Sequence, residues 1–234
     1  MPLLEIIQLD SNSLLRDDAS ISNPDENIQK LVRAIEQVNP PVDFVLGTHH
    51  QDKNAIQITF EHRGSAKSTT SERSLGPGSL SEVISGFYDA PFRSFRVNLD
   101  NSVFGPAGFA TANAVEFVLS YFPTSSFNAE FQKKIEDDFI RFDEIYSPAT
   151  TGDQGLVYGW LEGEQPLEDV DGGSAKCFFV MRGWNSMDGF EASIKTEAYK
   201  EAIPLLLGWN APFKMSSGMW SVNREIPARE LLYL

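Results

Sequence analysis

Leu3-Leu4-Glu5-Ile6-Ile7-Gln8-Leu9 and Ala114-Val115-Glu116-Phe117-Val118-Leu119-Ser120 are two short apolar runs, each with a glutamate at its third position. Both favour a pleated, buried strand over a helix. Superposing the glutamates sets an offset of 111 residues (116 − 5), and superposing VLGTHH on VYGWLE pairs Gly47 with Gly159 at an offset of 112 (159 − 47). Two near-equal offsets in one chain predict an internal duplication.

Working outward from the first run, Asn23-Pro24-Asp25-Glu26 supplies a cap, a proline for the first helical position and acids for the first turn. Ile28, Leu31, Val32, Ile35 and Val38 follow at helical spacing, which predicts an amphipathic helix ending before Pro40-Pro41. A β-hairpin is expected from Asp43–Gln51 and Ala55–His62, then a Ser/Thr/Gly loop, a short helix near Leu80–Phe87 and a strand near Phe92–Leu99. The second run opens the same series. Strand Ala114–Phe122 is followed by a helix from Asn128 to Tyr146, strands Leu156–Glu162 and Lys176–Trp184, one helix from Ser186 through Phe190, Ile194, Tyr199 and Ile203, and a last strand Phe213–Val222. Each half reads βαββαβ. Asn101–Asn113, with two glycines beside a proline, divides them into units 1–105 and 106–234.

The 234 residues carry a net charge of −14, spread along the chain, which argues against nucleic acid and anionic membranes as partners. The amino-terminal stretch has no signal-peptide pattern and no apolar run reaches the length of a membrane span, so a cytoplasmic protein is expected. The single cysteine, Cys177, excludes an internal disulfide, and Walker, Rossmann and Gly-x-Ser-x-Gly spacings are missing.

The second half resembles the dimeric α+β barrel superfamily of ferredoxin-like domains, particularly its antibiotic-biosynthesis-monooxygenase-like and stress-responsive members of the fungal tandem-repeat type. The resemblance rests on Val157-Tyr158-Gly159-Trp160, on Phe178-Phe179-Val180-Met181-Arg182-Gly183-Trp184-Asn185-Ser186, and on Glu197-Ala198-Tyr199-Lys200-Glu201-Ala202-Ile203. It implies an α+β fold in which two ferredoxin-like βαββαβ repeats stack as an intramolecular, pseudo-dimeric barrel. Strands such as LVYGWL and KCFFVM, apolar on both alternations, require burial on both faces as that stacking provides. Relatives often place a histidine near the position of Phe190, where this chain has none.

Candidate chemistry is sparse. All three histidines, 49, 50 and 62, lie in the first hairpin. His49 and His50 point to opposite faces, and pairing His50 near Ile56 and His62 near Phe44 leaves roughly 20 Å between them along the ribbon. No metal site is expected. His50, on the parity of Phe44, Leu46 and Thr48, extends the helix-facing layer and is the candidate acid–base group. Tyr158 is the second candidate catalytic residue, as a proton donor. Trp160, Arg182, Trp184, Thr48 and Glu116 are candidate substrate contacts, the aromatics and one cation suiting a flat, oxygenated ligand. Arg182 has a plainer alternative as the partner of one of the many carboxylates. Glu5 and Glu116 are either polar groups of a barrel or pocket, or exposed edge residues.

The resemblance implies a cofactor-independent enzyme of secondary metabolism acting on an aromatic or polyketide-like substrate. The chemistry would be proton transfer: cyclisation, aldol closure, dehydration or isomerisation. Cofactor-free oxygenation on the same fold is the alternative. A non-catalytic, stress-associated binding or oligomerisation module is the third reading, and a homodimer of tandem-repeat chains is compatible with all three.

Overall fold

Alternation puts Leu4 and Ile6 on one face of the first strand and Ile7 and Leu9 on the other, and all four are buried. A sheet buried on both faces needs two partners, and the computed structural model supplies helices for one and a second sheet for the other. It describes residues 1–10, 24–37, 43–49, 52, 55–62, 80–88, 92–166 and 173–222. The first half comprises β1 (Leu3–Asp10), α1 (Pro24–Glu36), β2 (Asp43–His49), β3 (Ala55–His62), α2 (Leu80–Phe87) and β4 (Arg93–Asn98). The second comprises β5 (Ala114–Pro123), α3 (Ala129–Tyr146), β6 (Asp153–Trp160), the two-residue β7 (Gln165–Pro166), β8 (Ser174–Trp184), α4 (Met187–Ser193), α5 (Glu197–Leu207) and β9 (Phe213–Val222).

Strands run in the order β4-β1-β3-β2 and then β9-β5-β8-β6, with β2 paired to β9. Every named pairing is antiparallel. The ring closes where Val97 of β4 bridges Leu161, just past β6, and the Glu162 N–H donates to the Arg96 carbonyl at 2.7 Å. A closed ring leaves no main edge of the sheet unpaired. Its interior holds Leu4, Ile6, Val45, Val97, Phe117, Tyr121, Cys177 and Phe179 among others, while two separate apolar layers sit under the helices of each half. The fold is therefore α+β, a pseudo-dimeric barrel of ferredoxin-like topology. No helix among the described residues is long and apolar enough to cross a membrane.

The register aligns the halves residue by residue. Leu3 faces His62 and Ala114 faces Trp184; Glu5 faces Phe60 and Glu116 faces Arg182; Gly47 faces Gln57 and Gly159 faces Phe179. The side of Gly159 where a Cβ would stand lies 3.0 Å from Val97 Cγ2 and 3.1 Å from the Asn98 carbonyl, so the close approach that seals the ring needs glycine there.

Three local expectations change. The hairpin pairs in a register shifted by two, with Thr48 rather than His50 opposite Ile56 and Phe60 rather than His62 opposite Phe44. An even shift keeps every side chain on its face, so patterning does not detect it. The single helix expected after Ser186 is two, because the Thr196 hydroxyl accepts from the Tyr199 N–H and donates to the Ser193 carbonyl, starting α5 where α4 has ended. Part of the acidic loop before β8 forms β7. The expected cap Asn23, Val38 and the Ser65–Gly78 loop lie outside the described residues.

Candidate active site

The helix-facing side of the second sheet is laid out in rows. Glu116 on β5, Arg182 on β8 and Leu156 on β6 form one row; Trp184 and Ala114 lie in the row before it, Tyr158 and Val180 in the row after, and Trp160 and Phe178 in the next. Above the Glu116 row stand Asp143 and Tyr146 of α3, Ser147 at its end, Ser193 of α4 and Tyr199 of α5.

Arg182 is 3% exposed and fully engaged. It forms ion pairs with Asp143 and Asp153, donates to the Ser147 hydroxyl at 2.8 Å, and lies 5.3 Å from the centre of the Tyr146 ring and 5.9 Å from that of Trp184. One guanidinium between two aspartates leaves that group with a net charge of −1. The cation is thus more than neutralised before Glu116 is counted.

Glu116 lies deep in the protein yet retains some accessible surface. Its Oε2 accepts from the Trp184 indole N–H at 3.3 Å. Burial raises its carboxyl above the ordinary value; the charge of Arg182 and the Trp184 bond oppose this, and Asp153 adds to it. Tyr146 is likewise pushed up by burial to about 12, and burial together with the charge Glu116 would carry raises Tyr199. Both phenols are therefore neutral at physiological pH. The Ser193 hydroxyl donates to the Phe190 carbonyl at 2.6 Å, which makes Tyr146 the donor in its 2.5 Å bond to that oxygen. Phe190 itself packs against Trp184 with ring centres 5.8 Å apart.

Of the residues singled out from the sequence, Glu116, Arg182 and Trp184 come together. Glu116 is on a central strand facing the helices, neither an edge residue nor a barrel residue. Tyr158 is one row away and two strands across, about 7 Å along and about 10 Å sideways by sheet geometry. Its ring packs on Phe139 and Phe178 and 36% of it is exposed. Trp160 is a row further, donating to Glu136 at 2.8 Å and packed among Phe122, Phe127 and Phe178. Thr48 belongs to the other half, opposite Ile56 and Met219. His50 lies outside the described residues. Sequence reading misses Asp143, Tyr146, Asp153, Ser193 and Tyr199. Tyr199 reads as a member of an apolar stripe and Tyr146 only as the end of its helix, and nothing local to Asp143 or Asp153 signals a shared arginine. Among the described residues no three His, Cys, Asp or Glu side chains are grouped to hold a metal ion.

The sequence matches no protein-family model and no curated protein. Solved structures do match the fold. A candidate monooxygenase of Fusobacterium nucleatum superposes with a TM-score of 0.53 at 12% identity over 94% of this chain and 92% of that one. An anthrone oxidase-like protein gives 0.52 at 11% over 94% and 92%. A heme-binding protein of Thermus thermophilus gives 0.52 at 12% over 98% and 92%. With all three spanning nearly the whole barrel, the chain shares their fold, an α+β barrel of ferredoxin-like topology.

Proposed function

We propose that the protein is a cofactor-independent enzyme that moves a proton on an aromatic or polyketide-like small molecule, with Glu116 as the group that moves it. The observation that carries this reading is a deep-set but partly accessible carboxyl held above its ordinary pKa beneath an indole N–H and beside two neutral phenols. A raised pKa makes the ionised carboxylate a stronger base and keeps its conjugate acid able to return the proton near neutral pH. Removing a proton from a carbon that a carbonyl acidifies, directly or through a conjugated ring, breaks the C–H bond; returning it to the carbonyl oxygen forms the enol or phenol tautomer and leaves Glu116 as it began. The Trp184 N–H steadies the carboxylate in between, and Tyr199 offers a neutral phenol to the substrate oxygen. Tyr158 and His50 remain proposed acid–base residues, Tyr158 at the far end of a ligand long enough to span the rows between it and Glu116.

Oxygenation begins with the same abstraction, and the likeness to an anthrone oxidase-like protein favours it as the second reading. Heme binding is not carried over from the Thermus protein. His49 and His62 lie in the first half and Cys177 lies in the barrel interior, so among the described residues no imidazole or thiolate stands beside Glu116. That donor set does not fit a heme iron held by histidine or cysteine.

Anthrone is a suitable probe. Under argon in deuterated buffer, the wild-type chain should accelerate deuterium entry at the anthrone methylene, read by NMR, and Glu116→Gln should lower that rate about 10²–10⁴-fold while staying folded. Oxygen uptake on admitting air would favour the oxygenase reading. Equal rates for wild type, Glu116→Gln and buffer would leave a non-catalytic binding module.

A further inference from the structure

The first half holds the equivalent of this arrangement with different chemistry. Glu5, 3% exposed on the central strand β1, accepts from three side chains on two flanking strands: His62 Nε2 at 2.8 Å, Ser94 Oγ at 2.6 Å and Arg96 Nε at 3.0 Å, with Arg96 Nη2 also at 3.4 Å. Burial alone would raise the Glu5 carboxyl, but the hydrogen bonds from His62, Ser94 and Arg96 and the Arg96 charge outweigh it and hold the group below its ordinary value. Glu5 is therefore ionised and can only accept, so Nε2 of His62 must bear a hydrogen. In its neutral form the ring carries its lone pair on Nδ1, to which no described residue is hydrogen-bonded. Phe60 meets the ring edge-on at 5.0 Å between centres and fixes its plane.

His62 and Arg96 bind the same carboxylate oxygen, so their bonding nitrogens are at most 5.8 Å apart, the sum of 2.8 and 3.0 Å. Their side chains are 37% and 45% exposed, whereas that of Glu5 is 4% exposed. The buried acid thus orients two solvent-reaching groups side by side, a base and a cation.

We propose that His62 and Arg96, positioned by Glu5, form a second site that takes up small phenols and enols as their anions. The phenolic O–H bond breaks, an N–H bond forms at Nδ1, and the oxyanion pairs with Arg96 and the new imidazolium, whose charge Glu5 balances. No other reactant is required. This site does not depend on the Glu116 reading, from which it is separated by lying in the other half of the barrel.

4-Nitrophenol, whose anion absorbs visible light and whose neutral form does not, tests it with the full chain. Titration of the protein at a slightly acid pH should raise the phenolate absorbance saturably. His62→Gln, which retains an N–H for Glu5 but lacks a base, should weaken that response about tenfold or more, and Arg96→Gln should weaken it severalfold. Circular dichroism should show both variants folded, since both side chains reach solvent. Absence of a saturable phenolate signal in the wild type, or an unchanged titration in His62→Gln, overturns the proposal.

Discussion

Glu5 and Glu116 occupy matching positions on the first strand of each half, each beneath a ring N–H from the last residue of the third strand, and their pKa values move in opposite directions. His62 and Trp184 are the equivalent donors. The difference lies in where the arginine goes. Arg96, on the fourth strand, bonds Glu5 directly, while Arg182, on the third strand, is drawn away by Asp143 and Asp153. At the place of Arg96 the second half has Ser217. A cation committed to a deep-set carboxylate pulls its pKa down, and burial raises the pKa when the nearest cation is committed elsewhere. One scaffold position thereby holds a carboxyl whose pKa is lowered in one half and raised in the other.

The largest expected effect tests whether Arg182 is committed as described. Arg182→Met strands Asp143 and Asp153 at the end of α3 and the start of β6, and should cost about 3–5 kcal/mol in urea unfolding at neutral pH. A loss under about 1 kcal/mol would show the two aspartates well solvated without it, and the account of Glu116 would lose its main premise.

The two glutamates should then respond to pH with opposite sign. For Glu5, with its folded pKa depressed, the stability it contributes is present above the ordinary value of 4.5 and is lost as pH falls through the folded value. Glu5→Gln should therefore lose about 2 kcal/mol at pH 7, and the two proteins should converge in acid. Unfolding curves that stay parallel down to low pH would contradict an ionised Glu5.

For Glu116 the folded pKa is raised, so the native state binds more protons than the unfolded chain above 4.5, and stability falls as pH rises until the folded group ionises. Glu116→Gln mimics the protonated acid. It should match wild type near pH 4 and exceed it by about 1 kcal/mol at pH 8, the smallest of these effects. A variant less stable than wild type at pH 8 would mean that Glu116 is ionised and paired, erasing the contrast with Glu5.

Periodicity and capping make the element order and most element limits legible, since α2 and β9 end where apolar spacing and turn residues place them. Parity is enough to place Glu116, Arg182 and Trp184 on one face. What parity does not distinguish is an even shift in register, which is why the hairpin differs by two residues without any side chain changing face. The roof of the site is hidden for another reason. Tyr146 and Tyr199 share the apolar stripes of their helices, and only the approach of α3 to α5, with ring centres 5.6 Å apart, turns two stripe residues into neighbours of Glu116. Spacing alone marks His62 as too far from another histidine to share a metal, whereas its partner is a carboxylate 57 residues away.

The pairing of β9 with both β2 and β5 has a consequence for synthesis of the chain. Its first residue, Phe213, emerges from the ribosome 164 residues after His49, the last of β2 (213 − 49). Until then the β2 edge of the first half is an open row of amide and carbonyl groups beside apolar side chains, a template that a neighbouring nascent chain on the same message could occupy. Slowed elongation before codon 213 should raise the fraction of such interchain pairing, so the strand that completes the barrel also limits how long the first half must be shielded.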